Sequence, residues 1–207
     1  MIRGATQIAA VALALLAGQA AAAAQQQRPS VLLLDGLFIY VHQSYVGVSA
    51  LAPELERMGY RAVVDTHLMT RTARVEPDVI VGHSMGGSTA LKRARELVEA
   101  GKPAPVVITI DAAFGSPPCP VPRCINYFSP GFPRVEGAEN VDAWQAGAFM
   151  VNHAMLATNA TIQRRVLGHA AALLEERAAA ALAAAAAAAA TAPSAPLTAP
   201  VPVPRPY

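Results

Sequence analysis

The residues best placed to do chemistry are Ser84 and the glycines on either side of it, in Val81-Gly-His-Ser-Met-Gly-Gly87. A serine hydroxyl attacks an acyl carbon usefully only when a base takes its proton and fixed donors receive the charge that develops on the acyl oxygen. The spacing G-x-S-x-G supplies the shape for this. A sharp turn from strand to helix pushes the central hydroxyl outward, and a β-carbon at Gly82 or Gly86 would clash in so tight a bend. The flanks agree with such an elbow: Asp78-Val-Ile-Val81 is a β-branched run that predicts a buried strand, and residues 89–100 repeat apolar residues at helical spacing. The helix N-terminus behind Ser84 adds N–H donors and a positive dipole end suited to an oxyanion. The stretch has no G-K-[ST] ending and no G-x-G-x-x-G spacing, so it does not read as a phosphate-cradling loop. The plain alternative is an ordinary glycine-rich βα turn.

An activated serine needs a base, an acid behind the base and two oxyanion donors. His153 stands between the last strand-like run and a long amphipathic segment, downstream of Ser84, and is the first choice for the base. His169, set among alanines within that segment, is the weaker candidate, and His42 and His67 read as loop histidines. His83, the variable residue of the motif, is expected to point away from the base. For the acid, Asp111 closes the apolar run Pro105-Val-Val-Ile-Thr-Ile110 and so falls at the carboxyl end of a strand, the edge where α/β sheets bind ligands. Asp142, Glu139 and Glu136 are its rivals, and capping the following turn is its bland alternative. One oxyanion donor would be the N–H of Met85 and the other that of Leu37 or Phe38, with Leu37 preferred, beyond the close-approach glycine Gly36.

The elements that must position these residues can be read in order. Val31-Leu-Leu-Leu-Asp35 is a continuous apolar run, as in a parallel strand covered on both faces. Residues 49–58 read as a helix stopped by Gly59, and Arg61-Ala-Val-Val leads a second strand. After the elbow come its helix, the 105–110 strand and a short last strand at Arg123–Phe128. A glycine-spaced segment follows, and then a closing helix with Ile162, Val166, Ala170, Leu173 and Leu174 inward. Strands alternating with helices predict a three-layer α/β/α sandwich on a mostly parallel sheet of about five strands.

The chain of 207 residues divides into a leader (1–24), a domain (25–177) and an Ala/Pro-rich tail (178–207). The leader has Arg3, an apolar centre from Ile8 to Ala17 and alanines that offer A-x-A sites. It reads as a cleaved signal peptide, so the mature chain is expected to be secreted or periplasmic, with no stable membrane span. An uncleaved anchor is the rival. The two end segments inflate the 54% hydrophobic content. A formal net charge of +2 with 14% charged residues leaves no basic stripe, which argues against nucleic acid. In an exported chain Cys119 and Cys124, with Pro120 and Pro122 between them, are expected to pair, which would fix a loop; they have no metal-site spacing.

With Ser84, Asp111 and His153 in that order, the chain resembles the α/β-hydrolase superfamily, and within it the small bacterial lipase- or thioesterase-like members, over about Val31 to Ala171. The resemblance rests on the elbow, on Val107-Ile-Thr-Ile-Asp111 and on His153 just ahead of the closing helix. It implies a serine hydrolase acting on an ester or thioester through an acyl-enzyme, with a small acyl or lipid-like substrate and no cofactor. An amidase or peptidase would use the same groups. The chain departs from the family in having Asp35-Gly36 where many relatives have His-Gly, and in leaving little sequence for a lid. The site should then be shallow, with Phe38, Phe114, Phe128, Phe132 and Trp144 as acyl contacts or core. The rival from another class is a catalytically silent fold of this kind, serving as an envelope-associated binding module.

Overall fold

The computed structural model describes residues 28–37 and 47–191. The expectations placed on the leader, Phe38, His42 and residues 192–207 lie outside the described residues. Among the described residues six strands form one sheet: β1 (Ser30–Asp35), β2 (Arg61–Thr66), β3 (Val79–His83), β4 (Val106–Ile110), β5 (Cys124–Phe128) and β6 (Glu139–Asp142). Their order is β2-β1-β3-β4-β5-β6, and every neighbouring pair is parallel. The strand beyond the five expected is β6, whose sequence Glu-Asn-Val-Asp has no apolar run. It lies at the edge, and side-chain bonds help to seat it: Asn126 Nδ2 donates to Asn140 Oδ1 at 2.9 Å, and Asn140 Nδ2 to the Val135 carbonyl at 2.9 Å. An edge strand held this way carries little of the hydrophobic signal that reveals a strand in sequence.

The connections fill both faces of the sheet. A 3-10 turn (Val48–Leu51) runs into α1 (Ala52–Arg57) between β1 and β2, and α2 (Met85–Glu99) joins β3 to β4. After β6 come the single turn α3 (His153–Leu156) and the long α4 (Ala160–Thr191). Leu32, Ile80, Val107 and Cys124 are aligned across neighbouring strands and share one face, where they pack with Ala90, Leu91, Ala94 and Leu97 of α2. Burying each of the large ones contributes roughly 1.5–3 kcal/mol. The residues between them, such as Leu33, Val81 and Ile108, are equally buried and face the other way. Tyr127 on that second face hydrogen-bonds His169 of α4, whose Ile162, Val166 and Ala170 are buried.

The described residues divide into two units after Ala170, and the division falls within α4. In the second unit residues 175–187 are exposed. Among the described residues no helix is long and apolar enough to cross a membrane.

From β1 the chain moves one way to β2, and from there to β3 on the other side of β1. The loops leaving β1 and β3 therefore part in opposite directions and open a crevice at the carboxyl ends of these strands. Gly36 and Ser84 both lie there.

Candidate active site

β3 ends at His83, α2 begins at Met85, and Ser84 alone makes the turn, at φ 57° and ψ −123°. A non-glycine residue so placed costs about 1–3 kcal/mol, and only tight surroundings hold it. The surroundings are tight. A β-carbon on Gly82 would run into the Gly86 carbonyl, and one on Gly86 into the Leu34 carbonyl of β1. The Ser84 amide donates to the Ile110 carbonyl at 3.0 Å, and its own carbonyl accepts from Gly87 and Ala113, which ties the elbow to the end of β4. The helix is one turn longer than its apolar spacing predicts, because the two elbow glycines Gly86 and Gly87 are already helical.

The strand ends bring three side chains into line. His153 Nε2 is 3.1 Å from Ser84 Oγ, and His153 Nδ1 is 3.1 Å from Asp111 Oδ2. Asp111 is fully buried at the end of β4, with φ 45°. Its carboxylate also accepts from the Ser129 amide (2.6 Å) and the Ser129 hydroxyl (2.7 Å). Both oxygens are thus engaged, so the carboxylate keeps one orientation without solvent. Ser129 escaped notice in the sequence because a serine after a strand carries no signal of its own. His153 opens α3 instead of lying in a loop, and Asn152 caps that turn by accepting from the Met155 amide at 3.1 Å. Phe132 stacks on the His153 ring, with centroids 4.1 Å apart and planes 9° from parallel.

The loop after β1 comes directly against the elbow: a β-carbon on Gly36 would lie 2.9 Å from Ser84 Cβ and 3.4 Å from its Oγ. Leu37 follows Gly36, and Met85 occupies the first position of α2, where an N–H has no acceptor within the helix. Both side chains are partly exposed. Asp35 anchors the far end of the same loop, accepting from the Ser49 amide at 3.1 Å. Burial pushes its carboxyl above the usual range, and the bonds from Ser49 and Val48 work in the other direction. Phe114, 72% exposed, leans toward Phe132 with ring centroids 5.8 Å apart, so an apolar shelf runs from His153 outward.

Other candidates are occupied elsewhere. Asp142 caps a turn, accepting from the amides of Trp144 (2.9 Å) and Gln145 (3.2 Å). Glu139 starts the edge strand and Glu136 is exposed. Phe128 lies under the Arg134 guanidinium, and Trp144 donates to the Val151 carbonyl at 3.2 Å. His67 is buried within its loop, and His169 pairs with the Tyr127 hydroxyl at 2.8 Å. Cys119 and Cys124 form a disulfide with Cα atoms 6.5 Å apart. His83 departs from its expected orientation. Its ring lies 4.7 Å from that of His153, and Nε2 is 3.0 Å from the His153 carbonyl. The last residue of β3 points to the face opposite α2, and α3 covers that face here. Burial, and secondarily the charge on His153, lower its pKa to about 4.

No protein-family model matches the chain, and no curated protein matches its sequence. Among solved structures the chain is similar to human thioesterase 2, at 14% identity and a TM-score of 0.28, over 69% of this chain and 64% of that one. It thus spans less than two thirds of the length of that protein.

Proposed function

We propose that the chain is a serine hydrolase of the α/β-hydrolase kind, which cleaves a carboxylic ester or thioester through an acyl-enzyme. The observation that carries this reading is the unbroken line of contacts from Ser84 Oγ to His153 Nε2 and from His153 Nδ1 to a buried carboxylate. In this mechanism His153 Nε2 takes the Ser84 proton as Oγ bonds to the acyl carbon. The N–H groups of Met85 and Leu37 receive the oxyanion, and Asp111 holds Nδ1 protonated and offsets the imidazolium charge. His153 then gives its proton to the leaving alkoxide or thiolate. Water, deprotonated by the same nitrogen, attacks the acyl-enzyme; the bond to Ser84 Oγ breaks, His153 returns the proton to Oγ, and the acid is freed.

The shelf of Phe132 and Phe114 suits an apolar acyl group. We further propose that residues 1–24 direct export, which N-terminal sequencing of the mature chain would test. A fluorophosphonate probe tests the main reading. The wild type should be labelled at Ser84 and Ser84→Ala left unlabelled, with nitrophenyl esters of graded chain length then reporting acyl preference. A folded wild type that takes up no probe would overturn the enzyme reading and leave a binding module on the same fold.

A further inference from the structure

We infer that His83 is a positioning residue for the reaction, holding the backbone of His153 through its Nε2–H while the next residue, Ser84, carries the nucleophile. The inference rests on the reading of His153 as general base. A carbonyl oxygen can only accept, so the 3.0 Å contact puts the single proton of the neutral His83 ring on Nε2. Nδ1 is then bare, and it is buried with no protein hydrogen-bond partner among the described residues. A ring kept neutral with one donor aimed at one carbonyl serves that carbonyl and nothing else.

The need for such a tether follows from the local structure. His153 heads a helix of only four residues, so the helix has too few of its own hydrogen bonds to fix the residue's place. Besides the Phe132 stack, hydrogen bonds do so instead: the Asn152 cap, Asp111 on Nδ1, and His83 on the carbonyl. Of these only His83 comes from the elbow itself. One rigid turn, braced against Leu34 and Ile110, therefore sets both the Oγ and the backbone of the residue that must take its proton. Among the described residues the titratable groups facing His83 are His153 from α3 and Asp111 from the end of β4. A second cation here would oppose the imidazolium that forms on His153, and a neutral His83 avoids that.

The test compares His83→Leu, which keeps apolar bulk and removes the donor, with His83→Gln, which keeps an N–H donor at similar reach. Loss of positioning should lower kcat in His83→Leu by about 10- to 100-fold with KM nearly unchanged. It should also displace the acid limb of the kcat/KM profile, and His83→Gln should recover most of the rate. Wild-type kcat and an unmoved pH profile in a folded His83→Leu would overturn the inference. Imidazole 15N NMR of the wild type decides the matter even if His83→Leu fails to fold. A neutral His83 ring protonated at Nε2 throughout the pH range of activity supports the tether, and the Nδ1–H form excludes it. A wild type with this NMR signature but no probe labelling would instead mark failure of the hydrolase reading, with the tether intact as structure.

Discussion

Among the described residues two histidines are hydrogen-bonded to hydroxyls, His153 to Ser84 at 3.1 Å and His169 to Tyr127 at 2.8 Å, and their surroundings differ. Ser84 sits at a strained turn against a glycine loop, whereas Tyr127 lies within a regular strand. Behind His153 stands a buried carboxylate, 3.1 Å from Nδ1, which fixes the orientation of the ring. Burial lowers the pKa of His169 and raises that of Tyr127, which favours the neutral state of both. A short hydroxyl–imidazole contact is therefore not a mark of chemistry. The third group and the accessibility of the oxygen decide.

The contrast breaks most sharply by substitution. Ser84→Ala and His153→Ala should each lower ester turnover by roughly 10⁵-fold or more with little change in Tm, whereas His169→Ala should stay within a few-fold of wild type. Turnover lost in His169→Ala instead would reverse the two assignments. Next in size is Asp111→Asn, which leaves the packing but no longer enforces a proton on Nδ1 of His153. Steady-state kinetics should show a fall of about 10³- to 10⁴-fold.

Gly36→Ala places a methyl 2.9 Å from Ser84 Cβ, and the loop must shift to accept it. Because displacement of catalytic groups by about 1 Å costs on the order of 100-fold, kcat should drop by that much, with far-UV circular dichroism unchanged.

Acid should expose the role of burial. His83 in the folded chain titrates near 4, below the ordinary 6.5, so between these values the unfolded chain binds more protons and unfolding gains. Over that window the wild type should lose about 3 kcal/mol more than His83→Gln in urea titrations, with no further difference above the window. A parallel decline in both proteins would show that His83 is not the group responsible. The smallest effect belongs to Tyr127→Phe, which removes the second pair: about 1 kcal/mol of stability by thermal melts, and no change in turnover.

Sequence determined much of this protein, for local reasons. The apolar runs of β1, β3, β4 and β5 and the glycines of the elbow were legible because burial on both faces and a tight turn each demand particular residues in adjacent positions. The strand ends of Asp111 and the placement of His153 ahead of the closing helix followed from the same periodicity. What only the tertiary structure decided depends on packing between distant segments. The edge strand β6 is polar and held by Asn140, Ser129 grips Asp111 from 18 residues away, and Phe132, ahead of β6, stacks on His153, which follows it. His83 was misjudged from sequence, because the direction of a side chain at the end of a strand acquires meaning only once α3 is known to lie over that face. Spacing along a chain records what neighbours in sequence require of each other, and a contact closed across a sheet leaves no such record.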